Sequence, residues 1–151
     1  MKKNKILLIG GSGNLGLQIL KSKIFRNIYA PKKKFLNLLN SKQINRILSK
    51  NNISTIINCA SIARMKECEK NVGKAINNNI EGTYNLVKAI LEFEKNKKKK
   101  IKLIHISSDA VYSSTKGNYK ENSYLGPYNN YGWTKLSAEY LIKMIENSII
   151  V

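Results

Sequence analysis

Short apolar runs alternate along the chain with longer stretches whose apolar residues recur every three or four positions. Residues 5–9 form an apolar run closed by glycine, the pattern of a strand buried on both faces of a parallel sheet. Helical spacing follows over 15–23, and residues 27–30 give a weak second strand ended by Pro31. Ser41 is suited to cap a helix over 42–50, a third strand is predicted over 54–58, and a partly helical stretch begins at 65–69. Apolar residues at Ile76, Ile80, Leu86, Val87, Ile90 and Leu91 predict one long helix over 72–95. Residues 101–106 make the clearest strand, and 113–126 read as a polar, tyrosine-rich loop. Pro127 precedes a helix over about 128–146, and 148–151 read as a strand only just begun.

Strands alternating with helices predict an α/β fold, an open and doubly wound parallel sheet. The segment 31–40 is too short to hold a crossover helix between parallel strands. The second and third strands of a standard nucleotide fold are therefore predicted to be abbreviated. No repeat or linker interrupts the chain, so residues 1–151 are read as one domain, a length sufficient for a single core.

Composition changes this picture little. No apolar run is long enough to span a bilayer. Met1-Lys2-Lys3-Asn4-Lys5 resembles the charged start of a signal peptide, but the apolar stretch at 6–9 is too short and runs into glycine. A cytoplasmic location is expected. The net charge of +18 would suit a binder of nucleic acid or an anionic membrane. Yet the lysines are scattered over predicted loops and helix faces, as an AT-rich coding sequence would scatter them, and no nucleic-acid motif accompanies them. Neither a dedicated nucleic-acid partner nor a membrane is expected. Cys59 and Cys68 lack the spacing of a zinc or redox pair, so no metal site or disulfide is expected either. His105, the only histidine, reads as a packed strand-end residue before it reads as a catalytic base.

Three elements carry chemistry. Gly10-Gly11-Ser12-Gly13-Asn14-Leu15-Gly16 follows a predicted strand and opens a helix. In that context the glycines let the backbone approach a pyrophosphate, which the helix N-terminus stabilises. His105-Ile106-Ser107-Ser108-Asp109 closes a strand, and Tyr131-Gly132-Trp133-Thr134-Lys135 lies downstream on a helix. Residues at i and i+4 share a helix face, so the Lys135 ammonium is expected beside the Tyr131 phenol, lowering its pKa. The Ser108 hydroxyl would complete a proton-donating group beside a bound nucleotide. The second strand ends on Tyr29-Ala30-Pro31-Lys32-Lys33-Lys34, with no acid to hold ribose hydroxyls. Lysines there would suit a 2′-phosphate, and NADPH is expected ahead of NADH.

These residues together resemble the extended short-chain dehydrogenase/reductases, most closely the dTDP-4-dehydrorhamnose reductase (RmlD-like) group. The likeness also takes in Ile57-Asn58-Cys59-Ala60-Ser61, Met65-Lys66-Glu67-Cys68-Glu69 and Asn79-Ile80-Glu81-Gly82-Thr83-Tyr84-Asn85-Leu86. Ser107-Ser108-Asp109-Ala110-Val111-Tyr112, Tyr119-Lys120-Glu121, Pro127 and Glu139 extend it over nearly the whole chain. The resemblance implies a Rossmann-like NAD(P)-binding domain that reduces a keto-sugar nucleotide, or the cofactor-binding part of such an enzyme. It implies Ser108, Tyr131 and Lys135 as catalytic residues, Tyr131 protonating a carbonyl oxygen while hydride arrives from the nicotinamide. It implies cofactor contacts from Gly10, Gly13, Asn14, Leu15, Gly16, Lys32, Asn58, Cys59, Ala60, Asn79, Ser107, Tyr131 and Lys135, with NADP or NAD bound. A homodimer through the two long helices is the partner expected beside the sugar nucleotide. An epimerase, or a non-catalytic regulatory subunit that keeps the nucleotide fold, are the alternatives. The chain departs from the family in three ways. Ala110 stands where dehydratases carry a catalytic Glu, and Asn37 stands where Asp is usual. Family members also run to roughly twice this length, so the domain is expected to be incomplete at its C-terminal end, short of most of the substrate pocket.

Overall fold

The computed structural model describes residues 4–113, 115 and 117–151. Five strands form one parallel sheet, β1 (Lys5–Ile9), β2 (Ile28–Tyr29), β3 (Ile53–Asn58), β4 (Lys102–His105) and β5 (Ser148–Ile150), in the order β2-β1-β3-β4-β5. Between them lie α1 (Asn14–Ser22), α2 (Ser41–Lys50), α3 (Met65–Lys70), α4 (Val72–Ala75), α5 (Gly82–Lys97) and α6 (Asn130–Ile142). The chain runs left from β1 to β2, then crosses back and runs right through β3, β4 and β5. Right-handed crossovers therefore place α1 on one face and α2, α5 and α6 on the other.

Side chains alternate across the sheet, so residues in register share a face. Leu7, Ile56 and Leu103 are in register and fully buried, packed with Ile44, Ile47 and Leu48 of α2, Leu86 and Ile90 of α5, and Ile142 of α6. The buried triplet of α2 sits at i, i+3 and i+4, a helical stripe aimed at the sheet. On the opposite face Leu8, Ile57, Ile104 and Ile149 are in register, with Leu8 beside Leu20 of α1. Leu8 is fully buried, Ile104 half-buried and Ile149 43% exposed.

The predicted elements are all present, with differences that have local causes. Residues 31–40 form turns that drive Leu36 and Leu38 into the core, and no further strand forms between β2 and β3. The helix cap is Asn40 rather than Ser41, because the Asn40 side chain accepts the Gln43 N–H. The single helix expected over 72–95 is instead interrupted by a π-helical segment, Ile76–Glu81. There the Gly82 N–H reaches back five residues to the Asn77 carbonyl. The helix expected over 128–146 is shorter, starting where the Asn129 side chain accepts the Gly132 N–H at 2.7 Å. Of the polar loop at 113–126, positions 114 and 116 lie outside the described residues. Its base is tied by a Tyr112–Leu125 bridge, and Tyr112 stacks on Tyr119. Among the described residues no helix is long and apolar enough to cross a membrane.

Candidate functional site

Parallel strands deliver their following loops to one edge of the sheet. The loop after β1 turns left and the loop after β3 turns right, which opens a crevice between adjacent strands. Gly10, at φ +80°, makes the turn out of β1, and a Cβ there would come within 2.7 Å of the Ala60 N. A side chain would therefore be both strained and blocked at this position. Gly13 precedes α1 with no side-chain cap, and the first turn of α1 holds no acid. The cap and first turn thus supply no side-chain acceptor or acid to the helix N–H groups.

A cleft of about 240 Å³ occupies this crevice. Gly10, Ser12 and Gly13 line it from β1, Cys59 and Ala60 from β3, and Lys33 from beyond β2. Four of the sequence-predicted cofactor residues, Gly10, Gly13, Cys59 and Ala60, are therefore together. Asn14, Leu15 and Gly16 form the first turn of α1 behind the cleft, Gly16 buried beneath the Gly10 carbonyl.

Other expected cofactor residues lie outside the lining of the cleft. The lysine at the cleft is Lys33, not Lys32. Lys32 is held in a turn, its carbonyl accepting from the Phe35 and Leu36 N–H groups. Asn79 does not line the cleft either. It is 2% exposed and clamps two elements, accepting from the Ile62 N–H at 2.7 Å and donating to the Ile62 carbonyl and to Thr134 Oγ1. Asn58 is likewise buried, accepting from the Ala60 N–H and facing His105. The residue at the cleft from the π segment is Asn78. Asn37 does line the cleft, where its side chain accepts the Leu39 N–H.

Ser108, Tyr131 and Lys135 do not line this cleft; Ser108 follows β4 at the same edge of the sheet, and Tyr131 and Lys135 lie on α6. Ser108 leaves the end of β4, accepting from the Ala110 N–H at 3.2 Å and donating to Asp109 Oδ1. Gly132 lets α6 press onto this turn, since any Cβ there would collide with the Ala110 carbonyl. Burial pushes the Tyr131 phenol above its ordinary value of 10, with the nearby Ser108 hydroxyl pulling the other way. Lys135 does not lower the phenol as the i, i+4 spacing suggested. Its Nζ instead donates to the Ile106 carbonyl at 2.6 Å and lies 3.5 Å from His105 Nε2. Burial brings Lys135 down to about 8, against the opposing charge of Glu139. Glu139 itself accepts a hydrogen bond from the Ser107 hydroxyl. Burial raises the Cys59 thiol, and the Lys135 charge opposes that rise.

Residues 4–151 match the family described as the RmlD substrate binding domain. The chain belongs to that family. A dTDP-4-dehydrorhamnose reductase of Bacillus anthracis, solved in complex with NADP, superposes with a TM-score of 0.85 at 27% identity, covering 99% of this chain and 52% of that one. Methionine adenosyltransferase 2 subunit beta of Bos taurus is 31% identical over 96% of this chain and 44% of its own. A dTDP-4-keto-6-deoxy-D-glucose reductase of Streptomyces niveus is 27% identical over 90% and 46% respectively. The chain spans about half the length of the curated relatives it matches.

Proposed function

We propose that this chain binds NADPH in the β1–β3 crevice and supplies the acid for reduction of a keto-sugar nucleotide. The observation that carries the reading is the meeting, at one sheet edge, of the uncapped glycine cradle with the Ser108–Tyr131–Lys135 group. The cradle fits a pyrophosphate, because Gly10 admits only bare backbone and the first turn of α1 lacks an acid. Lys33 at the cleft suits a 2′-phosphate, and the solved reductase with NADP supports the same choice. Bound there, the cofactor supplies hydride.

The chain's own residues supply the rest. A phenol raised by burial holds its proton at neutral pH, so Tyr131 enters as an acid able to give that proton to a carbonyl oxygen. Ser108 donates a hydrogen bond to the same oxygen as its charge develops. Lys135, held on the Ile106 carbonyl, ties α6 to the end of β4.

Titration of the chain with NADPH and NADH, followed by nicotinamide fluorescence, tests the cofactor reading. Tighter binding of NADPH supports it, and absence of binding to either overturns it. Tyr131→Phe should keep NADPH binding and lower turnover of a keto-sugar nucleotide by about 10²–10⁴-fold.

Two observations shape the partner reading. Tyr84 and Leu91 on α5, and Trp133 and Tyr140 on α6, are exposed at seven-residue spacing. Such faces suit a homodimer, which sedimentation and a Trp133→Glu variant would test. The likeness to an adenosyltransferase beta subunit favours a second reading, a non-catalytic subunit of another enzyme. NADPH binding without turnover, together with a stable complex with a second protein, would establish that reading over the first.

A further inference from the structure

The charge of the chain is not evenly spread. All nine acidic residues lie at or beyond Glu67, whereas 14 of the 27 lysines and arginines precede it. A coding bias toward lysine does not sort acids from bases in this way. The acid-free stretch builds β1, α1, β2, α2 and β3, so one end of the sheet carries the excess.

On α2 that charge is ordered. Lys42, Arg46 and Lys50 are exposed at four-residue spacing, within an arc of about 80° that lies opposite the buried Ile44, Ile47 and Leu48. Each stands about 6 Å further along the helix axis, on the order of the step between successive phosphates of a nucleic-acid strand. None of the three joins an ion pair among the described residues. Like charges at this spacing repel, and Lys42 sits in a first turn without an acid, where a cation opposes the helix dipole. The stripe therefore destabilises the free chain, and a row of anions laid along it would offset that repulsion.

The stripe ends at a cleft of about 420 Å³ near the starts of β1 and β2, the edge of the sheet away from the glycine cradle. Lys50 lines this cleft together with Lys5, Asn27, Tyr29, Asn51 and Asn52, and no carboxylate lines it among the described residues. Lys5 Nζ lies 3.4 Å from Asn51 Oδ1 and 5.7 Å from the centre of the Tyr29 ring. Lys99 Nζ donates to Asn52 Oδ1, adding a further cation. An aromatic ring and amide groups beside cations suit a nucleobase, which has a flat face to stack and an edge to hydrogen-bond. A lipid surface would call for apolar side chains beside the cations, and the isoleucines and leucine of α2 all face the core. A base stacked within a duplex cannot enter such a cleft, so the strand it takes is a single one.

We propose that the outer face of α2 and the cleft beside it bind single-stranded nucleic acid, with Lys42, Arg46 and Lys50 following successive phosphates and the cleft holding a base. The site is separate from the crevice that holds the glycine cradle. Loss of NADPH binding would leave it standing.

Anisotropy of a labelled oligothymidylate of about 12 nucleotides tests the proposal. Three phosphate contacts should make the logarithm of affinity fall with that of salt concentration at a slope of about 2 or more. Changing Lys42, Arg46 and Lys50 together to glutamine should remove about that much slope and weaken binding about tenfold or more. The melting temperature of this variant should not fall, because repulsion is relieved. The same loss of charge at Lys88, Lys95 and Lys143, exposed on α5 and just past α6, should alter slope and affinity far less. Tyr29→Leu should weaken binding about fivefold or more and leave the slope unchanged. Equal losses in the two triple variants, or a wild-type slope below about 1, would mean diffuse attraction and overturn the proposal. Release of the oligomer by excess NADPH would place it in the crevice and overturn it too. Stripe-dependent binding of phosphatidylserine vesicles without binding of the oligomer would assign the face to a membrane instead. If the α2 variant fails to fold, the wild-type slope and Tyr29→Leu decide.

Discussion

On one face of the sheet Leu7, Ile56 and Leu103 lie under α2, α5 and α6. On the other, Leu8, Ile57, Ile104 and Ile149 pass from full burial beside α1 to open solvent at β5. The first face is a finished core. The second is finished only where α1 covers it, and its apolar character continues past that cover. Strand sequences alone do not show this difference, because an apolar run reads as buried on both sides whether or not a helix lies over it. The candidate site draws its buried groups from the finished face. Asn58 and His105 point to that side, and α6 brings Lys135 to them. Burial on that one face lowers the pKa of both the His105 imidazole and the Lys135 ammonium.

The contrast can be broken or sharpened by substitution. The largest effect is expected from Leu103→Ala, which leaves a cavity under α5 and α6 and should cost about 2–5 kcal/mol in urea unfolding. Equal loss from an exposed position such as Ile149 would erase the distinction. Next comes Asn79→Ala, in the helical layer over the same face. It strips the Ile62 N–H of its partner and should cost about 1–3 kcal/mol by the same measurement.

The His105 imidazole gives a pH-dependent effect. Its folded value of about 3 lies below its ordinary 6.5, so the unfolded chain takes up this proton first as pH falls. Its contribution is fully present above pH 6.5 and is lost progressively toward pH 3. Unfolding curves across that range should show a slope of about 1.4 kcal/mol per pH unit that is absent from His105→Gln. The smallest effect belongs to the open face. Ile149→Ser should change stability by no more than about 0.5 kcal/mol while reducing binding of an apolar dye.

Much of the architecture was legible because it rests on local pattern. The β1 run and its glycine turn, and the apolar spacing of α2, need only neighbours in sequence to declare themselves. The π segment did not, because one extra residue in a turn leaves the apolar spacing of 72–95 looking continuous. The clamp at Asn79 spans 55 residues to Thr134, and no spacing rule reaches that far. In the site, the glycine cradle could be read from residue type, since a positive φ and a close backbone leave few alternatives. The partner of Lys135 could not. Helical periodicity says which side the lysine leaves from, but the Ile106 carbonyl that holds it comes from another strand. Lys33 rather than Lys32 lines the cleft, a one-position difference that a run of three lysines does not declare.

The π turn bears on how this chain can gain or lose residues over evolutionary time. Each residue of an α-helix rotates the chain by about 100°. Ile76–Glu81 accommodates one residue more than that phase allows, and both Ala75 before it and Leu86 after it are nonetheless fully buried. Removing a single residue there would turn the wide turn into a regular α-helical one and keep Ala75 in its cluster with Cys68 and Tyr131, whereas removing one from the regular helix after it would swing everything upstream by that angle. The loop at 117–123 has no phase to keep, because the Tyr112–Leu125 bridge ties its base whatever its length. Length variation among related sequences should therefore collect at that loop, be limited to this one residue at the turn before α5, and be purged from α5 itself.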